Sequence, residues 1–555
     1  MATELTYEQV RPPISVDEGS DGREAPGRTA LVGQERAEQA LQLGMGVDGG
    51  GFNVFVSGPT GIGKMDIVED YVRAIAAERD APDDIIFVYN HKDPYRPRLL
   101  MLPAGKGEHF AEEMGELRRY LQEDLPRAFE TDEYAQRRDE AVQQFKQQGE
   151  SASDDIQKKA QEHGFTMKQT LMGTALVPVK DGRPLSNEEI QNLSQEEQQD
   201  IQQRKEELQQ EIAATQKQYR KINREAQKKV DELDRQVVAS RLEGPLEDLR
   251  EEYGEYDDVE EYLEAVKKDV QDNVEMLKQQ NEDGQNVPPP MQQQMQAQQE
   301  QFFSRFQVNV AVDNAESAGA PVIVERNPSY SNLVGTIEKE MKMGALTTDF
   351  TMVKAGSIMK ANGGFLLLPL EDLLRNPYGW EALKRSLDSG ELQVEELQQQ
   401  LGLMSVKSLK PQPVPLETKV VLVGDPFLFS LLHAYDKGFR ELFKVRADLD
   451  TRMNDDEENR ASLVQAFHRF SQEEHLASLT SDAVSRILQH AVRQAEHHGR
   501  LSVRMESLFD VLREAAFCDG EERAERIQDE HVKKALEHPV YPTATIRDKI
   551  LELVE

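Results

Sequence analysis

Cysteine occurs once in the 555 residues, at Cys518. A single thiol closes no intramolecular disulfide and builds no cysteine-based zinc site, so a reducing compartment is expected. Long apolar runs are missing as well. Stretches such as "GGFLLLPL" and "TKVVLVG" fall far short of the roughly 20 residues a membrane-spanning helix needs. The N-terminus, "MATELTYEQVRPP", has neither the basic nor the apolar region of a secretory signal. Positive charge is in deficit: 66 Lys and Arg stand against 102 Asp and Glu, for a net charge of −36. That balance excludes the basic footprint of a general nucleic-acid binder. The expectation is a cytoplasmic protein with no membrane and no nucleic-acid partner. Its length allows roughly three or four domains. With 30% charged and 38% apolar residues, a core is affordable only if much of the chain is solvated helix.

What is present begins with "GFNVFVSGPTGIGKMD". An apolar run leads into Gly58-Pro59-Thr60-Gly61-Ile62-Gly63-Lys64 and then into an amphipathic segment. This is the spacing of a phosphate-binding loop between a strand and a helix. Such a loop aims backbone N–H groups and the helix dipole at a phosphate, and Lys64 is placed to reach its β- and γ-oxygens. The next position should carry a hydroxyl for magnesium, and Met65 stands there. A thioether is a poor partner for a hard cation. The second metal-side motif should be an apolar strand ending in Asp-Glu. The best match is Phe365 to Leu368, but Pro369 and Leu370 follow, with Glu371 and Asp372 one step later. ATP or ADP binding is therefore expected, with magnesium doubtful and the metal-ligand set empty. Glu371 and Asp372 are the candidates for replacing the acidic pair by a shift of register.

The strand candidates fall into two groups. "GFNVFVSG" and "DIIFVYN" precede residue 106; "FQVNVAVD", "APVIVER", "GGFLLLPL" and "TKVVLVGD" follow residue 305. Strand–loop–helix–strand order predicts a parallel α/β nucleotide fold. Between the groups, Ile201, Leu208, Ile212, Tyr219, Ile222, Ala226, Val230, Leu233 and Val237 keep spacings of 7, 4, 7, 3, 4, 4, 3 and 4, an a/d seam. Ser186-Asn187-Glu188-Glu189 and Ser194-Gln195-Glu196-Glu197 are capping-box patterns near its start. "FTMKQT" and "GTALVPV" predict a hairpin at the arm's tip, and Pro288–Pro290 break the helix before the chain returns. The predicted organisation is an N-terminal arm (1–28), the α/β core in two parts (29–105 and 306–455), an inserted coiled-coil arm (106–305), a helical lid (456–540) and a linker helix (541–555). His497 and His498 close a helix and carry no metal signal.

These residues resemble the AAA+ portion of the Lon-like ATP-dependent proteases, in the subgroup with a coiled-coil insertion. The matching strings are "LVGQERAEQAL", "GFNVFVSGPTGIGK", "GAPVIVERNPSYSNLVGTIE", "GALTTDFTMVKAGSIMKANGGFLLL", "EDLLRNPYGWEALKRSLDSGELQVE", "VVLVGDPFLFSLL", "FRELFKVRADLD" and "LSVRMESLFDVLREAA". The resemblance implies an α/β P-loop NTPase core with a C-terminal all-α lid. It implies that Val32 and Gly33 lie beside the adenine and that Gly58 through Met65 cradle the phosphates. It also implies Arg440 as an arginine finger, Arg504 as the lid's sensor arginine, and Met341, Met343 and Phe350 near a substrate-gripping pore loop. Expected partners are protein substrates or a separate protease subunit, within a homo-oligomeric ring for which six copies is one candidate size. The family continues into a Ser–Lys protease domain, and none is expected in this chain; "IRDKILELVE" reads as the helix leading toward it. Two rival expectations stand beside a weak or absent ATPase. One is an active unfoldase working through Glu371 or Asp372. The other is a non-enzymatic scaffold acting through the coiled coil.

Overall fold

The computed structural model describes residues 31–537, apart from residue 48 and residues 171–172, 181–182, 186–188, 191–193, 279–288, 343–344, 398–408 and 518–525. The expected N-terminal arm and linker helix, and the capping box at Ser186, lie outside the described residues. The chain divides into two compact units, residues 1–111 with 308–555, and residues 112–307. Among the described residues, no helix is long and apolar enough to cross a membrane.

In the first unit, five short strands form the central sheet: β1 (Val54–Ser57), β2 (Val322–Val324), β3 (Phe365–Pro369), β4 (Lys419–Gly424) and β5 (Val445–Asp448). Their order is β5-β1-β4-β3-β2, and every pairing is parallel. Parallel strands are covered on both faces, so they read as continuous apolar runs. Alternation sorts the side chains between the faces. Val54 and Val56 pack with Leu41 of α1 (Glu35–Gly46) and with Val68 and Val72 of α2 (Lys64–Ala76). Phe55 turns the other way, into the core made by α3 (Leu370–Leu374), α4 (Pro377–Ser389), α5 (Pro426–Tyr435) and α6 (Lys437–Leu442). The lid is α7 (Glu457–Glu473), α8 (Ser481–Gln494), α9 (Met505–Phe517) and α10 (Asp529–Glu537), with a core of its own around Leu463, Phe467, Ile487, Leu508 and Val532. Asp456 and Thr480 cap α7 and α8 by accepting from the amides of Asn459 and Ala483, which satisfies donors a helix start leaves open.

Two expected core strands lie elsewhere. Asp84–Val88 and Val308–Val312 join Arg98–Leu102 in a separate antiparallel sheet. Their apolar composition suits either sheet, and tertiary pairing made the choice. Asp84 is fully buried, and its carboxylate accepts from the amides of Gly107 (2.8 Å) and Asn314 (2.7 Å). It thereby ties down the chain shortly before residue 112 and shortly after residue 307.

The second unit is built on helices Asp132–Glu162 and Gln195–Tyr253, with the hairpin Phe165–Thr170/Gly173–Lys180 between them in sequence. Ser194 and Glu197 form the reciprocal capping box. Leu208 and Ile222 of the apolar seam are buried, whereas Tyr219 is exposed. Pro289 opens a helix, Pro289–Ser304, where the sequence suggested a break. At a helix start proline's missing N–H costs nothing. Buried Asp234 accepts from the Tyr134 hydroxyl (2.6 Å) and pairs with the Lys278 ammonium.

Candidate functional site

The glycine loop leaves the carboxyl end of β1, which lies between β4 and β5. In open parallel sheets this end of the strands is where ligands bind. Gly63 caps α2 in the left-handed region (φ 69°), a conformation glycine adopts without strain. The loop thus presents amides and the positive end of a 13-residue helix to an anion. The Lys64 ammonium donates to the carbonyls of Gly58 (2.5 Å) and Gly424 (3.4 Å). It is held at the strand ends by neutral acceptors that a phosphate oxygen would outcompete.

Met65 packs against the apolar cluster beneath α2 and the sheet. Neither Met65 nor Pro369, at the end of β3, carries a side-chain oxygen, so these two positions do not fit a magnesium ion. Glu371 and Asp372 part company on α3. Glu371 Oε1 accepts from the Asp425 amide (3.1 Å), one residue beyond the Gly424 carbonyl that Lys64 touches. Asp372 pairs with exposed Arg375 (2.6 Å).

A cavity of about 510 Å³ opens beside the loop. Val32, Ile62, Gly63 and Leu449 line its core side; Phe470, Val503 and Phe509 line its lid side. Its volume and apolar walls suit a ligand of nucleotide size. Gln34 clamps the entry segment to the end of β5 through two bonds with the Asp450 backbone, both 2.9 Å. Beside it, Gly33 lies in the left-handed region (φ 67°), and an added Cβ would lie 2.5 Å from that of Met453. Phe470 and Phe509 stack face to face at 4.0 Å, with the Arg513 guanidinium 4.9 Å from the Phe470 ring.

Arg469 and Arg513 are the cations lining this cavity. Arg469 pairs with Glu473 (2.7 Å) and Asp70 (3.8 Å), and Arg513 pairs with Glu474 (2.8 Å) and Asp510 (3.0 Å). Burial raises the Asp70 carboxyl above its ordinary value, and neighbouring Glu473, Glu69 and Asp66 add to the rise against the pull of Arg469. Arg504 is exposed and is not part of the lining, and Arg440 is exposed on α6. Phe350 is core, whereas Met341 is 71% exposed on the hairpin Glu340–Lys342/Ala345–Thr347; Met343 lies outside the described residues. Sequence reasoning missed Asp425, Arg469 and Arg513. Asp425 had a signal, since it directly follows an apolar strand at the ligand-binding end of the sheet. The two arginines had none, being ordinary positions on solvated helices.

A phosphate loop after the inner strand β1, a β5-β1-β4-β3-β2 parallel sheet and a helical lid define an AAA+ ATPase fold. The family models agree. Residues 318–450 match the LonB-like AAA domain, residues 478–541 the archaeal LonB AAA+ ATPase lid domain, and residues 84–117 the Lon-like LonC helical domain. The chain carries the AAA+ portion of the Lon-like group. No curated protein matches it. Among solved structures it is similar to NtrX from Brucella abortus, at 13% identity over 42% of this chain and 46% of that one, with a TM-score of 0.24. NtrX in complex with ATP gives 15% identity, 49% and 58% coverage and a TM-score of 0.25. The chain thus spans about half the length of these structures, and the assignment rests on the strand order and the family models.

Proposed function

We propose that this chain is the nucleotide-binding module of a Lon-like ATP-dependent protease, holding ADP or ATP with little help from magnesium and hydrolysing it slowly. The observation that carries this reading is the Lys64 loop opening beside the 510 Å³ cavity, with Met65 and Pro369 at the metal-side positions. Lys64 and the loop amides need only phosphate. Losing the metal removes several kcal/mol of charge stabilisation at the β- and γ-oxygens, and at about 1.4 kcal/mol per tenfold that costs several powers of ten in rate. The module engages protein substrates or a protease subunit as a cytoplasmic homo-oligomer. Met341 and Leu346, 71% and 65% exposed on one hairpin, offer apolar grip to an unfolded chain. Arg440 acts on a neighbouring copy's nucleotide, and Arg504 on its own.

The bond from Asp425 to Glu371 favours a second reading, an active unfoldase in which Glu371 does the work of the lost acidic pair. One experiment separates the two. Nucleotide is titrated onto the purified chain with and without magnesium, and phosphate release is followed in parallel. The first reading expects affinity changed less than about threefold by magnesium and turnover far below 1 per second. Magnesium-dependent turnover at about 1 per second or faster, an ordinary enzyme rate, establishes the second.

A further inference from the structure

The metal side of the glycine loop holds a cation of the protein's own. β2 is the edge strand beside β3, in the register Val324↔Leu367. The Glu325 amide still donates to the Leu367 carbonyl (3.1 Å), and the same register carried on brings Arg326 level with Pro369. Val322 and Val324 pack against the cluster that contains Val68 and Val72 of α2, so β2 runs beside the helix that the loop opens. From the end of β2 the Arg326 guanidinium reaches the first turn of α2, where it stands 3.8 Å from the Asp66 carboxylate. Asp66 directly follows Met65 and lines the cavity. Arg326 thus runs from beside one of the positions that lack a metal ligand to beside the other.

Its contact with Asp66 is weak. The two side chains are 73% and 74% exposed, and 3.8 Å is near the outer limit of an ion pair; solvated pairs of this kind contribute little. A phosphate carries more charge than one carboxylate and accepts two parallel N–H bonds from a guanidinium. The other cations at the cavity are held more closely, Arg469 by Glu473 (2.7 Å) and Arg513 by Glu474 (2.8 Å). The lining itself is acidic, with six carboxylates against those two guanidinium groups. A polyphosphate entering there needs more positive charge than Lys64 alone supplies, and Met65 and Pro369 offer magnesium no ligand.

We propose that Arg326 stands in for the magnesium ion: when nucleotide binds, its guanidinium leaves Asp66 and donates to the β- or γ-phosphate of ADP or ATP. That role rests on the nucleotide-binding reading above and gives it the group that makes magnesium dispensable. The free polyphosphate is then taken at least as readily as its magnesium complex, because a guanidinium occupies the side the metal would take and repels a divalent cation. Arg326 and Asp66 act in opposition. Arg326 draws the phosphate in, while Asp66 holds Arg326 back and adds a negative charge of its own.

The test is calorimetric titration of ADP onto the full chain, in chelator and again in magnesium. Wild type is expected to bind in chelator. Arg326→Ala should weaken that binding at least about tenfold, the worth of one charge-assisted contact. Arg326→Lys keeps the charge but loses the fork, and should fall between the two. Asp66→Asn should tighten ADP at least about threefold. Opposite signs from the two partners of one ion pair are what a purely structural pair does not give, since losing either partner would then cost the same. Arg326→Ala that binds ADP as wild type does, Asp66→Asn that weakens binding as Arg326→Ala does, or a wild type that binds only in magnesium would each overturn the role of Arg326. The two readings fail separately. A wild type that binds no ADP under either condition sinks the nucleotide reading itself, whereas binding that is indifferent to Arg326 sinks this role alone.

Discussion

The Glu371 carboxylate accepts a hydrogen bond from the amide of Asp425 at 3.1 Å, which joins the start of α3 to the end of β4. The same turn of β4 offers the Gly424 carbonyl to Lys64. Asp372, next in sequence, is turned to Arg375 instead. Whatever magnesium-dependent phosphate release the chain shows should therefore fall at least tenfold, about 1.4 kcal/mol of barrier, in Glu371→Gln. Asp372→Asn should stay within about twofold. Equal losses in the two variants would remove Glu371 from its proposed place.

Lys64→Ala should weaken ADP binding by about 10- to 100-fold, the worth of one charge-assisted contact to phosphate. The loss should be the same with and without magnesium. Met65→Thr with Pro369→Asp should return magnesium dependence to the titration. Adding Leu370→Glu should instead lower the denaturation midpoint, because Leu370 is fully buried and an unpaired charge there has no compensation. A Leu370→Glu variant as stable as wild type would contradict that placement.

Asp84→Ala should cost about 2–4 kcal/mol of stability, since it leaves two buried amides, Gly107 and Asn314, without their acceptor. Urea unfolding followed by tryptophan fluorescence reports it, as the single Trp380 lies in the same unit. Excising residues 112–307 behind a short linker should leave a soluble, cooperatively folding remainder, with Asp84 still holding both ends. Aggregation of that remainder would place the boundary elsewhere.

Asp436 accepts from the Lys384 ammonium (2.9 Å), the Trp380 indole (3.0 Å) and the Phe439 amide (3.0 Å). Burial alone would raise its carboxyl, but these donors outweigh burial and hold it below the usual carboxylate range. A depressed folded value means stability that is fully present above the unfolded value, near about pH 4, and lost as pH falls through the folded one. Asp436→Asn should melt lower than wild type at pH 7, with the gap narrowing below about pH 4. A gap of constant size from pH 7 to pH 3 would show that charge is not the cause.

Fold class and the glycine loop are legible in the residues alone. Apolar runs of strand length, glycines at fixed spacing and a lysine opening an amphipathic helix are local signals, set by backbone geometry within a few residues. The capping box at Ser194 was legible for the same reason, and so was the resemblance to the Lon-like AAA+ portion. Long-range packing chose which strands share the parallel sheet. Asp84–Val88 and Val308–Val312 have core-strand composition, yet they pair with Arg98–Leu102, because a sheet is selected by partners far along the chain. It alone separated Glu371 from Asp372, adjacent residues that a helix turns about 100° apart. It also put Arg469 and Arg513 at the cavity, which no local pattern in the sequence announces. Side-chain direction on a lid helix depends on how that helix packs, and no spacing within the helix encodes what it faces.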